Sequence, residues 1–294
     1  MYIDARAIES TEGSEIFITA IPESNQSIKK QAEETFTGIR NILKKTGTQI
    51  FEERIFATED TKEIIGLMRK NAYGDLDDGV GPTYLVVPKG THNEISGVQV
   101  HAVRSSKKLE VLRLKDSACG RVLLCGDKKY LTLSGISAGE AGDAKTQALT
   151  IFEMADSALR QVGGDMHSVA RTWIWLKDIL TWYNDFNNIR TRFYTKQGLI
   201  KNNTHPHLPA STGIGITQAD GAKCTLDLFA VIGMRNPIKF LFKNGEQCAA
   251  LKYGSAFSRA LKSESPAGET VFISGTAAVD LKGETEHIGD IQAP

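Results

Sequence analysis

The stretch Leu131-Thr132-Leu133-Ser134-Gly135 is a short apolar run that ends at a glycine, and it is matched near the end of the chain by Val271-Phe272-Ile273-Ser274-Gly275. Runs of this kind bounded by glycine are typical of buried strands. Two such strands with the same ending indicate an internal repeat, and a repeat constrains the assignment of every other element.

The elements that follow the first of these strands define one repeating unit. From Gln147 to Gln161, apolar residues recur at the three-four spacing of an amphipathic helix, and Gly163-Gly164 follows it. The unit is completed by a strand, a second helix and two further strands, at 171–176, 182–194, 213–216 and 225–231.

The same order of elements occurs earlier in the chain. It comprises a strand, a helix, a strand, a helix and two strands, at 16–20, 31–45, 54–58, 59–71, 83–87 and 97–103. Single residues also match, namely Gln31-Ala32 with Gln147-Ala148 and Arg54 with Arg171. Agreement in order, helix phase and single residues predicts two copies of one α+β building block.

A third copy begins at 271–275, and the chain stops at Pro294, where the first helix of that copy is expected to start. We therefore predict a first module at 1–104, a second module with a linker strand at 105–235, and the start of a third module at 236–294. Mixed sheets can bury their open faces against one another, which predicts a pseudo-threefold arrangement with the helices on the outer face. The short third module predicts a fragment, a damaged natural protein or a gap that another chain fills, with an exposed sheet face in each case.

Composition restricts the classes of function. Lys and Arg balance Asp and Glu at 35 each, so no global field favours nucleic acid or an anionic membrane. The chain has no apolar run of about 18 residues and no signal-peptide pattern at its N-terminus, so neither a membrane span nor secretion is predicted. The four cysteines lack metal-ligand spacing and are interpreted as reduced thiols. Together these features predict a cytoplasmic protein without metal or cofactor.

Three motifs connect the repeating unit with a known superfamily. The RidA (YjgF) superfamily has motifs similar to Val271-Phe272-Ile273-Ser274-Gly275 with Asp280-Leu281-Lys282-Gly283-Glu284, to Ala256-Phe257-Ser258-Arg259-Ala260, and to Pro209-Ala210-Ser211-Thr212-Gly213. Members of that superfamily form trimers of small α+β subunits in a chorismate-mutase-like arrangement. The resemblance therefore implies tandem RidA-like modules in this chain.

A chain of three fused units resembles, more narrowly, the chorismatases, which fold like a RidA trimer built from one polypeptide. Those enzymes cleave the enolpyruvyl ether of chorismate into pyruvate and a cyclohexadiene or hydroxybenzoate product. The resemblance implies a chorismatase-like enzyme with a small carboxylate substrate, present as a monomeric pseudo-trimer or a weak oligomer. The incomplete third module implies that part of the catalytic machinery is missing from this chain.

The resemblance also places the substrate in a cleft between modules. The predicted substrate-binding residues are Arg171, Arg190, Tyr194, Ser211, Thr212, Gly213, Phe257, Arg259, Gly275 and Thr276. Arginines suit the two carboxylates of chorismate, and glycine at 275 lets the backbone approach a ligand closely. Arg190 and Tyr194 lie one helical turn apart and are predicted to share a face.

Two landmark residues of the superfamily are replaced in this chain. RidA deaminases carry a carboxylate-binding arginine where this chain has Ser211, and a glutamate on the last strand where it has His101 and Phe229. In chorismatases that glutamate belongs to the third module, so the expected catalytic glutamate lies beyond Pro294. Protonation of an enol ether requires an acid of this kind.

Two other functions stay open. One is a RidA-like enamine or imine deaminase, which the missing arginine disfavours. The other is a non-catalytic small-molecule-binding protein that uses the same clefts. The sequence shows no basic, aromatic-rich patch that indicates nucleic-acid binding.

Overall fold

Two large sheets, each with a pair of helices, follow one another along the chain and precede a smaller third sheet. A computed structural model describes residues 1–90, 93–201, 207–233, 239–242, 247–290 and 292. The first module contains β1 (Tyr2–Glu9), β2 (Ser14–Ile21), α1 (Ile28–Thr46), β3 (Thr48–Ala57), α2 (Lys62–Tyr73), β4 (Thr83–Val86) and β5 (Ile95–Arg104). The second contains β6 (Glu110–Leu114), β7 (Ser117–Cys125), β8 (Lys128–Ser137), α3 (Ala144–Gln161), β9 (Val169–Leu176), α4 (Ile179–Lys196), β10 (Ala210–Gly215), β11 (Thr217–Gln218) and β12 (Cys224–Ile232). The third contains β13 (Lys239–Leu241), β14 (Ala260–Ser265) and β15 (Gly268–Ile273).

The two large sheets share one topology. The first has the strand order β1-β2-β5-β3-β4-β11, the second β10-β9-β12-β8-β7-β6, and the third β13-β14-β15. In each large sheet one pair is parallel, β3 with β4 and β9 with β10, and a helix connects its strands. The predicted α+β fold with mixed sheets is confirmed, while the module boundaries at 104 and 235 stay a prediction.

The helices of each large module cover one face of its sheet. Phe36 and Ile39 of α1 are buried in one apolar core with Val98 of β5. Phe152 of α3 and Phe186 of α4 are buried with the second sheet in another core. The opposite face of each sheet is therefore free to meet the other sheets.

Residues at the helix ends stop or start α1 and α3. Gly47, with a φ of 64°, follows α1 in the left-handed conformation, and its N–H donates to carbonyls of the last turn. Asp143 precedes α3, and its carboxylate accepts a hydrogen bond of 2.8 Å from the N–H of Thr146. Ser27 holds the same position before α1, but its side chain makes no capping hydrogen bond.

Replacement of Asp143 by alanine is expected to lower the free energy of unfolding by about 1 kcal/mol, because α3 loses its N-terminal acceptor. Ser27→Ala is the matched control and is expected to change it by less than about 0.5 kcal/mol. Urea denaturation of both variants measures the difference. Equal losses in the two variants would contradict a capping role for Asp143.

A third apolar core lies where the three sheets meet. The ring of Phe51, from the first sheet, contacts Phe229, from the second, edge-on with centroids 6.3 Å apart. Phe229 in turn contacts Phe272, from the third sheet, at 5.4 Å. This shared core confirms the predicted pseudo-threefold arrangement, in which each sheet turns its helix-free face inward.

The outer face of the third sheet is exposed. Among the described residues no α-helix covers it, and Val271 and Ile273 on that face are 58% and 71% exposed. Phe272, between them, packs on the central core. No helix in the described part of the chain is long and apolar enough to cross a membrane.

Candidate functional site

The cleft between the first and second sheets is closed by a buried carboxylate. Asp227 accepts hydrogen bonds from Nε of Arg54 (2.9 Å), Oγ1 of Thr83 (2.6 Å), the N–H of Gly135 (2.7 Å) and Nε1 of Trp175 (2.9 Å). Its side chain has no exposed surface. A carboxylate inside the protein is tolerated when it is fully hydrogen-bonded and paired with a cation, as Asp227 is.

The cleft between the second and third sheets also contains an arginine, a threonine and a glycine N–H, but here the arginine and the glycine donate to the threonine hydroxyl. Arg171 donates through Nη2 to Oγ1 of Thr212, and the N–H of Gly275 donates to the same oxygen at 2.8 Å. Thr212 packs against Gly275 as Thr83 packs against Gly135: a β-carbon added to either glycine would lie within 4 Å of the threonine hydroxyl oxygen. Among the described residues, no carboxylate holds the position that Asp227 has in the first cleft.

Two further arginines lie at this second cleft. Arg190 of α4 donates to Oγ of Ser211 at 3.4 Å and to Oδ1 of Asn187 at 2.7 Å. Arg259, immediately before β14 of the third sheet, donates from Nε and Nη2 to the carbonyl of Cys248 at 3.2 and 2.9 Å. The hydroxyl and amide that accept from Arg190 and the carbonyl that accepts from Arg259 are all neutral groups.

Phe257 and Thr276 complete the wall of the cleft. The guanidinium carbons of Arg190 and Arg259 lie 5.7 and 5.6 Å from the ring centroid of Phe257. Arg259 also donates through Nη1 to Oγ1 of Thr276, a residue on the exposed rim. We call the set formed by Arg171, Arg190, Thr212, Phe257, Arg259, Gly275 and Thr276 the arginine cleft.

The three arginines of the arginine cleft are buried, and no carboxylate among the described residues pairs with them directly. Arg171, Arg190 and Arg259 are 7%, 1% and 5% exposed. In the described chain none of them has a carboxylate within ion-pair distance, and Nη1 of Arg171 and Nε of Arg190 have no hydrogen-bond partner at all. Burial and the charge of nearby Arg54 lower the pKa of Arg171 to about 10. An anion in the cleft would supply the missing charge and acceptors.

The structure brings most of the predicted site residues together. Hydrogen bonds or ring contacts join Arg171, Arg190, Ser211, Thr212, Phe257, Arg259, Gly275 and Thr276. Gly213, next to Thr212 on β10, faces Tyr183: a β-carbon added to this glycine would lie 3.4 Å from the tyrosine ring.

Tyr194 has a different environment from its predicted neighbours. It is fully buried in the helix-covered core of the second module, with its ring 5.7 Å from that of Phe152. Its hydroxyl has no hydrogen-bond partner in the described part of the chain, and burial raises the pKa of this phenol to about 12. The helical spacing that relates it to Arg190 does not place both side chains at the cleft.

Sequence reasoning did not find Asp227, Thr83 or Glu52. The match of Arg54 with Arg171 was the available signal, because paired arginines at equivalent positions of two modules point to equivalent clefts. Which arginine meets a carboxylate depends on the docking of the sheets, and the sequence pattern does not show that docking. Among the described residues, no cluster of His, Cys, Asp and Glu is suited to a metal ion.

Glu52 is a buried acid beside the first cleft. Its side chain is 6% exposed and accepts a hydrogen bond from Nη2 of Arg54. Burial raises the pKa of Glu52 to about 7, although the charge of Arg54 opposes that rise. The guanidinium of Arg54 therefore serves two carboxylates, Glu52 and Asp227, of which Asp227 has the larger number of donors.

The raised pKa of Glu52 predicts a pH-dependent stability. The pKa of Glu52 is higher in the folded state than its ordinary value of 4.5, so protonation of Glu52 favours folding. This contribution to the free energy of unfolding is complete below pH 4.5 and is lost as the pH rises through about 7. Glu52→Gln is therefore expected to be more stable than the wild type above pH 7, with a difference that disappears toward pH 4.5. Urea denaturation of both proteins across this pH range measures the effect. A difference that stays constant with pH would contradict this assignment.

Comparison with known structures identifies the fold. A crystal structure of a chorismatase matches 99% of this chain and 73% of its own, with a TM-score of 0.55 and 18% sequence identity. This chain has the chorismatase fold. The predicted resemblance is thus confirmed at the level of the fold, and within that fold the arginine cleft lies between the second and third modules.

Single-module proteins match part of the chain. A member of the YjgF/YER057c/UK114 family from Mycobacterium tuberculosis covers 42% of this chain over its full length, with a TM-score of 0.34 and 16% identity. Escherichia coli TdcF with bound serine covers 43% of this chain and 98% of its own, with a TM-score of 0.34 and 14% identity. No family model and no curated protein matches the sequence.

Proposed function

We propose that this chain binds a small dicarboxylate of the chorismate class in the arginine cleft. The observation that carries the proposal is the presence of three buried guanidinium groups without a carboxylate partner among the described residues. Arginine presents two parallel N–H groups that match a carboxylate, and such charge-assisted pairs are about twice as strong as neutral ones. Two carboxylates on one ligand would engage cations from both the second and the third module.

The first cleft supports this proposal from within the same molecule. There an arginine, a threonine hydroxyl and a glycine N–H hold the carboxylate of Asp227. The arginine cleft presents the same three kinds of donor around Thr212. A ligand carboxylate that took the place of the Thr212 hydroxyl oxygen as the acceptor for Arg171 and Gly275 would reproduce contacts that Asp227 makes in the first cleft.

The chorismatase reaction on such a ligand would begin with proton transfer to the methylene carbon of the enolpyruvyl ether. Water then adds to the oxocarbenium carbon, and the hemiketal breaks down to pyruvate and a ring alcohol. The arginine cleft can hold the carboxylates and orient the ether, but among its described residues there are cations, hydroxyls and an aromatic ring and no carboxylic acid. Binding without turnover is therefore the function that we propose for the described chain.

Isothermal titration with chorismate tests this proposal. We expect chorismate to bind between about tenfold and hundredfold more tightly than benzoate, which has one carboxylate, because the second carboxylate adds a charge-assisted contact. Pyruvate, measured with lactate dehydrogenase and NADH, is expected to stay at the background level. Absence of chorismate binding would overturn the assignment of the cleft. Release of pyruvate would contradict binding without turnover and would show chorismatase activity instead.

A further inference from the structure

A second cavity lies on the first-module side of the central core. Its volume is about 420 Å³, which is within the range of small-molecule sites. Side chains of all three sheets line it, and none of them belongs to the arginine cleft. It is bordered by Ile8 and Phe17, which are 52% and 44% exposed, so that a small molecule can reach it from solvent.

The walls of the cavity are mainly aromatic and aliphatic. Phe17, Trp173, Phe229 and Phe272 contribute rings, with Phe229 and Phe272 in contact at 5.4 Å. His101 stacks on Phe17, with ring centroids 4.5 Å apart and planes at 9°. Such walls favour a flat apolar body, since aromatic rings bury area and interact specifically with other rings or with cations.

One acidic group at the cavity is already fully engaged. Glu15 accepts hydrogen bonds from Nε2 of His101 (2.8 Å), Oγ of Ser265 (2.5 Å) and the N–H of Ala267 (2.9 Å). These contacts fasten the third module to the first across the cavity. With three donors already in place, Glu15 can accept few further hydrogen bonds from a ligand.

Glu52 is the acidic group at the cavity that can still accept a hydrogen bond from a ligand. One of its oxygens accepts from Arg54, and no described residue donates to the other oxygen. Arg54 is shared with Asp227, so one guanidinium pairs directly with two carboxylates, while the charge of Arg171 also acts on Glu52 from outside the cavity lining. Among the described residues that line the cavity, the carboxylates of Glu15 and Glu52 outnumber the one guanidinium, that of Arg54, which favours a ligand that brings a positive charge to the free oxygen of Glu52 over an anion.

We propose that this cavity binds a protonated aromatic amine, with its ring against Phe17, Phe229 and Phe272 and its ammonium group donating to the free oxygen of Glu52. The site is distinct from the arginine cleft in its residues and opposite to it in charge preference. The ammonium group would complete the hydrogen bonding of Glu52 and balance the second carboxylate at Arg54. The aromatic walls would stabilise both the ring and the adjacent charge.

Three probes of similar size test the proposal: 2-phenylethylamine, 2-phenylethanol and phenylacetate. Titration calorimetry at about pH 8, where the amine is protonated, is expected to show the amine binding about tenfold more tightly than the alcohol, since a charged contact replaces a neutral one. Thr270→Trp, which places a large side chain in the cavity, is expected to remove this binding. Phenylacetate that still binds to this variant is assigned to the arginine cleft, because that cleft remains intact.

Glu52→Gln removes the negative charge at this position while keeping the shape of the side chain. This isosteric variant is expected to bind the amine and the alcohol with equal affinity, whereas Glu110→Gln, at an exposed acid on β6, is expected to keep the wild-type preference. The proposal is overturned if wild-type protein binds the alcohol or phenylacetate in the cavity as tightly as the amine. It is also overturned if the preference for the amine survives in Glu52→Gln, a result that does not depend on the folding of Thr270→Trp.

Discussion

Replacing Asp227 by asparagine is expected to lower the free energy of unfolding by about 3–5 kcal/mol, because the change removes one partner of a buried ion pair. Nε of Arg54 would lose its charged acceptor. In the wild type the other three donors, from Thr83, Gly135 and Trp175, share two carboxylate oxygens, whereas the amide of asparagine has only one oxygen that can accept. These donors come from both large modules. The loss therefore weakens the docking of one module on the other as well as a local network.

Urea denaturation followed by tryptophan fluorescence measures this effect. Asp116→Asn, at an exposed aspartate in the turn between β6 and β7, is the matched control and is expected to change the free energy by less than about 0.5 kcal/mol. If the two variants were equally stable, Asp227 would have no role in holding the modules together.

Replacing Arg190 by methionine is expected to weaken chorismate binding by about a hundredfold, because a buried charge-assisted contact is lost while the volume of the side chain is largely kept. Stability is expected to stay the same or to rise. Arg190 is 1% exposed and meets only neutral groups, so its removal relieves an uncompensated buried charge. Opposite changes in affinity and stability distinguish a ligand-binding arginine from a structural one.

Arg192→Met is the control for that experiment, since Arg192 lies two positions further along α4 and is exposed. It is expected to leave both chorismate affinity and stability near their wild-type values. A loss of stability in Arg190→Met with unchanged chorismate affinity would show that Arg190 serves the fold and would contradict its assignment to the binding site.

The two clefts contain similar donor groups but differ in whether the protein supplies a carboxylate to them. In the first, the protein supplies its own carboxylate, and Asp227 accepts hydrogen bonds from both modules. In the second, equivalent donors stand without one in the described chain, which makes that junction suited to an external anion. A ligand there would contact the second and third modules together, so binding is expected to stabilise their docking.

The repeat, the helices and the strands could be predicted from the sequence because their signals are local. Apolar residues at the spacing of one helical face mark α1 and α3, and residues such as Gly47 and Asp143 stop or start these helices through contacts within one turn. The repetition of those local patterns predicted the tandem modules, and the resemblance of their motifs to the RidA superfamily and the chorismatases predicted the chorismatase fold. Most of the arginine cleft could likewise be listed, since its residues belong to recognisable motifs.

Charge compensation was decided only by the tertiary structure. Arg54 and Arg171 look alike in sequence, yet Arg54 meets Asp227, which is 173 residues away, and Arg171 meets a threonine hydroxyl. Burial of Glu52, which raises its pKa to about 7, and the cavity beside it also arise where sheets from different modules meet. The physical reason is that helix and strand signals act within a few residues, whereas the pairing of a buried charge depends on which distant group the packing brings within hydrogen-bond distance.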